Sequence, residues 1–245
     1  MLKEKLLKQY NHLIEMYSKL NSEQLFFLYL GTIYIIFILF DCFHIAPHLS
    51  AALKYAGIAI CLAYVLNKYR NDHNLIAALF FTVIADTILV WTHYEVAGVI
   101  IFCLAQFFHA KRIHNLRTIY FFGFIAFIAI IMTIAYLYKF VPIYTVATLY
   151  AFLLVFNLIS AVMYSKNHQL KAAFYLKYGF IAFIACDICV ALRHIIMDGL
   201  APDFILPIVS FLVWVFYLPS QALLSHSSLP VIRLQKKLIS DKLKS

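Results

Sequence analysis

Eight long apolar runs, set apart by short polar turns, fill this chain: residues 25–41, 50–66, 75–93, 96–110, 118–138, 143–164, 172–193 and 204–224. Such runs leave few folds open. About 20 residues carry a helix across the hydrocarbon core of a bilayer. Backbone polar groups at that depth must pair within a helix or a closed barrel. Only 6 glycines and 6 prolines are present, and no alternating ten-residue segments, so the barrel is excluded. With 64% hydrophobic and 13% charged residues and a mean hydropathy of +0.88, the chain reads as an all-α polytopic membrane protein with eight transmembrane helices. The fourth run is the shortest. Thr92-His93-Tyr94-Glu95 joins it to the third as a tight hairpin.

The basic residues orient these spans. All except Lys54, Lys139 and Arg193 fall on one side, the side that holds both termini. The positive-inside rule makes that side the cytosol, in the plasma (inner) membrane if the source is bacterial. The net charge of +9 follows from this asymmetry and calls for no nucleic acid. Residues 1–22 place Leu2, Leu6, Tyr10, Leu13, Tyr17 and Leu20 at helical spacing among lysines, an amphipathic helix on the cytosolic face. The span domain is expected over 25–225 and a basic cytosolic tail over 226–245. No cleaved signal peptide is expected, because the first apolar run begins behind a long charged leader. The 5 cysteines are scattered; Cys186 and Cys189 read as packing residues, and no metal or cofactor is expected. Nucleotide-binding loops, a serine elbow and a zinc-protease helix are all missing.

Two aspartates interrupt the apolar runs at matching places. Asp86 and Asp187 are each followed seven residues later by a histidine, His93 and His194. The next spans also agree, with Ala105-Gln106 on the fourth and Ser220-Gln221 on the eighth. Four spans separate the equivalents, so the halves read as two parallel four-helix repeats about an axis along the membrane normal. At the helical rise each aspartate lies about 9–11 Å below the outer end of its span. Lys54 enters from the same outer side, and Asp41 ends span one nearby. If their faces turn inward, a polar chamber follows. A carboxylate at membrane depth costs about 2.5–3.5 kcal/mol on insertion scales, which favours function over structural hydrogen bonding. Lys54 equally suits snorkelling to the interface, Gln106 and Gln221 equally suit interhelical hydrogen bonds, and His93 and His194 suit the solvated surface. Tyr217 is one of 17 tyrosines.

Five segments together resemble the YhhN-like lysoplasmalogenase family: Ala51-Ala52-Leu53-Lys54, Ile84-Ala85-Asp86-Thr87-Ile88-Leu89, Gly98 to Gln106, Tyr178-Gly179 to Asp187, and Tyr217-Leu218-Pro219-Ser220-Gln221. The resemblance spans residues 50–225. It departs at Tyr55, where the family has proline, at Ala85, where it has glycine, and at Gln106, where histidine is common.

The resemblance implies hydrolysis of the vinyl-ether bond of a lysoplasmalogen, a lysophospholipid, to a fatty aldehyde and a glycerophospho-alcohol. Such a bond breaks when its β-carbon is protonated and water attacks the resulting oxocarbenium ion. Burial favours the neutral form of a carboxyl, so one aspartate could serve as the acid. The ionised second would stabilise the cation and deprotonate water, as in glycosidases. Asp86 and Asp187 are the implied catalytic pair, with Lys54, Gln106, Tyr217 and Gln221 against the substrate. The competing reading is a proton-coupled transporter of a small molecule or lipid using the same aspartates. A membrane scaffold with structural polar contacts is the third.

Overall fold

The structure, a computed structural model, describes residues 21–43, 45–92, 94–116, 119–139, 141–168 and 170–229. The amphipathic leader and most of the basic tail expected from the sequence lie outside these residues. The described chain is helical: α1 Ser22–Cys42, α2 Pro47–Lys68, α3 His73–Trp91, α4 Glu95–His114, α5 Ile119–Leu137, α6 Pro142–Asn167, α7 Lys171–Met197, a short 3-10 turn Asp203–Ile205, and α8 Leu206–Ser225. No strand occurs among the described residues. Seven of these helices are long and apolar enough to cross a membrane; in α5 the apolar stretch is Phe122–Ile134. Large apolar side chains such as Phe152, Ile159 and Ile188 stand exposed on the outer faces. A water-soluble protein does not leave so much apolar surface uncovered; lipid covers it in a multi-pass membrane protein.

Local chemistry sets the helix ends. Asn21 and Gln24 form a reciprocal capping box that starts α1. Asp72 caps α3 by accepting from the Leu75 N–H at 3.1 Å. Pro142 and Pro207 open α6 and α8, where a missing N–H costs nothing. Asn115 ends α4 in the left-handed conformation, with Lys111, Arg112 and His114 in its last turn against the negative end of the helix dipole.

The chain divides into two compact units, residues 1–57 and 58–245, with the boundary inside α2. In the first, the Lys54 ammonium pairs with Asp41 at 2.6 Å, and Ser50 donates to the other oxygen of the same carboxylate at 2.5 Å.

In the second unit α3 packs on α4 and α7 on α8 as antiparallel hairpins, while α6 lies against α4 and α7. Glycines bring the hairpins close. A Cβ on Gly98 would come within 2.5 Å of Leu89, and one on Gly179 would come within 2.9 Å of the Leu224 side chain and 3.2 Å of its backbone nitrogen. The helix formed by the shortest apolar run, α4, is the most enclosed of the candidate spans. More than half of α4 is buried, against a third or less of each of the other six candidate spans, and its mean hydropathy is the lowest of the seven. Its low hydropathy has a physical cause: α4 spends its inward face on polar residues, among them Gln106, His109 and Arg112.

Candidate functional site

Asp86 lies on the inward face of α3 beside Ala78, Leu79, Thr82 and Ala85, and is 7% exposed. Its carboxylate accepts from the Tyr217 hydroxyl, which sits 2.9 Å from one oxygen and 2.7 Å from the other. Tyr217 belongs to the buried stripe of α8, with Ser220, Gln221, Leu224 and Ser225. Pro219 removes a backbone donor in the middle of this helix, and the Ser220 hydroxyl donates to the Tyr217 carbonyl at 2.7 Å. One turn past Tyr217, the Gln221 amide donates to the Ser220 hydroxyl at 3.3 Å.

Asp187 lies on α7 and is partly buried. It also accepts from a tyrosine: Tyr150 of α6 donates to it at 2.6 Å. Four rings join the two arrangements. Tyr150 contacts Phe102 with centroids 5.8 Å apart, Phe102 contacts Phe183 at 6.4 Å, and Phe183 contacts Tyr217 at 5.8 Å. Phe183 and Asp187 are one turn apart on α7. The two tyrosines do not follow the repeat expected from the sequence, since Asp86 takes its partner from α8 and Asp187 from α6. Two carboxyl groups, each with a rotatable phenolic donor, can hold one proton and one negative charge between them, which suits general acid and base work.

The other residues singled out in the sequence are dispersed. Lys54 lies in the first unit on its ion pair with Asp41. Gln106 is fully buried on α4, where the Asn157 amide donates to its side-chain oxygen and to its backbone carbonyl, each at 2.9 Å. Arg193 and His194 are exposed, and His93 lies outside the described residues. Arg112, counted with a cytosolic loop on sequence grounds, sits instead in the last turn of α4 at 2% exposure. A groove of about 600 Å³ lies at the opposite end of the same helix, lined by Tyr94, Glu95, Ala97, Ile100, Pro142 and Ile143 among others. Ile143 stands two turns before Tyr150 on α6.

With this geometry in place, comparison with known proteins adds one match: the model of the YhhN family aligns with residues 24–228. The chain belongs to the YhhN family. The YhhN match takes in both aspartates and both tyrosines, and ends at Ser228. Comparison with curated proteins and with solved structures finds no match.

Several polar residues of the YhhN chain escaped the sequence reading. Tyr150 carries no mark that separates it from the other tyrosines. Asp72 and Arg112 are buried at the basic end of the helices. There Arg112 donates to Ser227 at 3.0 Å, while Asp72 accepts from the Ser228 hydroxyl and the Leu229 N–H, each at 3.2 Å. The three-residue spacing of Gln106, His109 and Arg112 was the available signal. It puts three polar side chains on one face of an otherwise apolar helix.

Proposed function

We propose that this YhhN protein is a membrane-embedded hydrolase that cleaves the vinyl-ether bond of lysoplasmalogens, releasing a fatty aldehyde and a glycerophospho-alcohol. The observation that carries the reading is the linked pair Asp86–Tyr217 and Asp187–Tyr150, with a carboxylate at each end of a four-ring bridge.

In the proposed reaction one aspartate, in its neutral form, delivers its proton to the β-carbon of the vinyl ether. The π electrons form the new C–H bond, and the ether oxygen shares the charge left on the α-carbon. The ionised aspartate faces that cation, takes a proton from water and so lets the water oxygen bond to the α-carbon. The hemiacetal then collapses: its hydroxyl proton restores the first aspartate, the C–O bond to glycerol breaks, and the second aspartate returns its proton to the departing oxygen. Tyr217 and Tyr150 hold the carboxylates in place. The groove between the starts of α4 and α6 supports a lateral route for the single alkenyl chain, since it is lined mainly by apolar residues and includes Ile143, two turns before Tyr150 on α6.

As part of the same reading, all eight helices cross the bilayer as two parallel four-helix repeats. The basic ends and both termini then face the cytosol.

The test is to incubate purified protein with a lysoplasmalogen and with its saturated-ether analogue, and to measure free aldehyde. Aldehyde from the vinyl ether alone supports the proposal. No aldehyde at any pH, with substrate-dependent proton flux in liposomes, replaces it with the transporter.

A further inference from the structure

The hydrolysis needs a second substrate, water, deep within an apolar bundle, and the interior between α4 and α8 has the composition to supply it. On α4, Gln106, His109 and Arg112 recur every third residue, each at most 2% exposed. On α8 and just after it, Ser220, Gln221, Ser225 and Ser227 are all fully buried. The two rows meet where Arg112 donates to Ser227 at 3.0 Å. At the other end Tyr217, one turn from Gln221, reaches Asp86.

The α4 row holds more hydrogen-bonding capacity than it uses, as do Asn157 of α6 and Gln221 of α8, whereas the serine hydroxyls of the α8 row donate to backbone carbonyls. Among the described residues, no partner meets Nε2 of Gln106, either ring nitrogen of His109, Nε and Nη1 of Arg112, Oδ1 of Asn157 or Oε1 of Gln221. Protein interiors satisfy about nine-tenths or more of their buried polar groups. Isolated exceptions are common, but seven such atoms, five of them on three residues of α4, are not. Apolar side chains of the same volume would pack these positions without the loss. Buried water is what ordinarily completes such groups, each molecule making about three hydrogen bonds to the groups around it.

We propose that a column of bound water runs between α4 and α8, from Arg112 at the basic end to Asp86, and delivers the attacking water. Water and lipid then reach the aspartates from opposite ends of the bundle, the lipid by the groove at the start of α4. The existence of the column is independent of the hydrolase reading; its role as the water supply rests on it.

Synchrotron radiolysis generates hydroxyl radicals from bound water, so side chains beside such water oxidise even when closed to bulk solvent. Applied to the full-length protein in nanodiscs, followed by mass spectrometry, it should oxidise His109 and Tyr217 about tenfold faster than Phe37, a fully buried aromatic. Protection of His109 and Tyr217 equal to that of Phe37 overturns the column. In His109→Leu the Tyr217 signal should fall. Turnover of lysoplasmalogen should also drop about tenfold with KM within about twofold. Oxidation of Tyr217 without any aldehyde release leaves the column standing and refutes the hydrolase. Aldehyde release with kcat unchanged in His109→Leu, or with KM alone raised, refutes the supply role.

Discussion

The Tyr217 hydroxyl lies within hydrogen-bonding distance of both oxygens of Asp86, although the two residues are 131 positions apart in the chain. One O–H cannot serve both oxygens fully, so the phenol acts as a hinge pin that leaves the carboxylate free lone pairs. Under the proposed reaction, Asp86→Asn and Asp187→Asn should each lower aldehyde release by about a hundredfold or more, the usual scale for losing a general acid or base. Near-normal turnover in either variant, measured in detergent micelles with vinyl-ether substrate, would exclude that carboxyl from the chemistry.

Removing one phenolic donor is milder. A hydrogen bond to a charged group is worth about 1.5–3 kcal/mol, equivalent to about 10- to 100-fold in rate. Tyr217→Phe and Tyr150→Phe should therefore lose activity on that scale while keeping their helices. Circular dichroism together with steady-state kinetics separates this outcome from misfolding.

Close packing of α7 on α8 makes Gly179 intolerant of a methyl group, because the obstruction includes the backbone nitrogen of Leu224 as well as its side chain. Gly179→Ala should destabilise the protein by about 1–3 kcal/mol. Gly123, in α5, has open space around its missing Cβ, so Gly123→Ala should be neutral or stabilise by about 0.5–1 kcal/mol. Thermal unfolding in one detergent, followed by fluorescence, would rank the pair; the reverse order would contradict the packing.

Asp72 binds its own helix start and the segment after α8 at once. Asp72→Ala should cost about 1–3 kcal/mol through the lost cap and the donors left bare. Asp72→Asn retains an accepting oxygen and should cost less. Limited proteolysis near Ser228 gives a second readout: faster cleavage in Asp72→Ala than in Asp72→Asn is expected.

Helix positions were largely readable because the bilayer imposes one rule on every span. The eight apolar runs coincide with α1–α8 to within a few residues, and the longest disagreements are at the ends of α4 and α7, which continue to His114 and Met197. Asp86 and Asp187 could be picked out because a carboxyl in an apolar run is conspicuous. Their tyrosines were another matter. Tyr217 stood out only through a family pattern, and Tyr150 stood out through nothing, since tyrosine is at home on lipid-facing, interfacial and buried surfaces alike. Arg112 was misplaced because basic residues near a helix end ordinarily lie in the headgroup region, and only tertiary contacts reveal that this one turns inward to Ser227. The nearness of Lys54 and Asp41 across the first turn was legible, but their ion pair was not, because a lysine at that depth equally suits snorkelling.

The polar inward face of α4 also bears on how the protein is made. A segment that keeps its oily surface to one side and its amides, imidazole and guanidinium to the other gains little by entering lipid alone. The turn from Trp91 to Glu95 is short enough for α3 to bring α4 with it, and Leu89 already seats against Gly98 within that hairpin. The two helices are then expected to enter the membrane as one hairpin, with α3 beside α4 from the start.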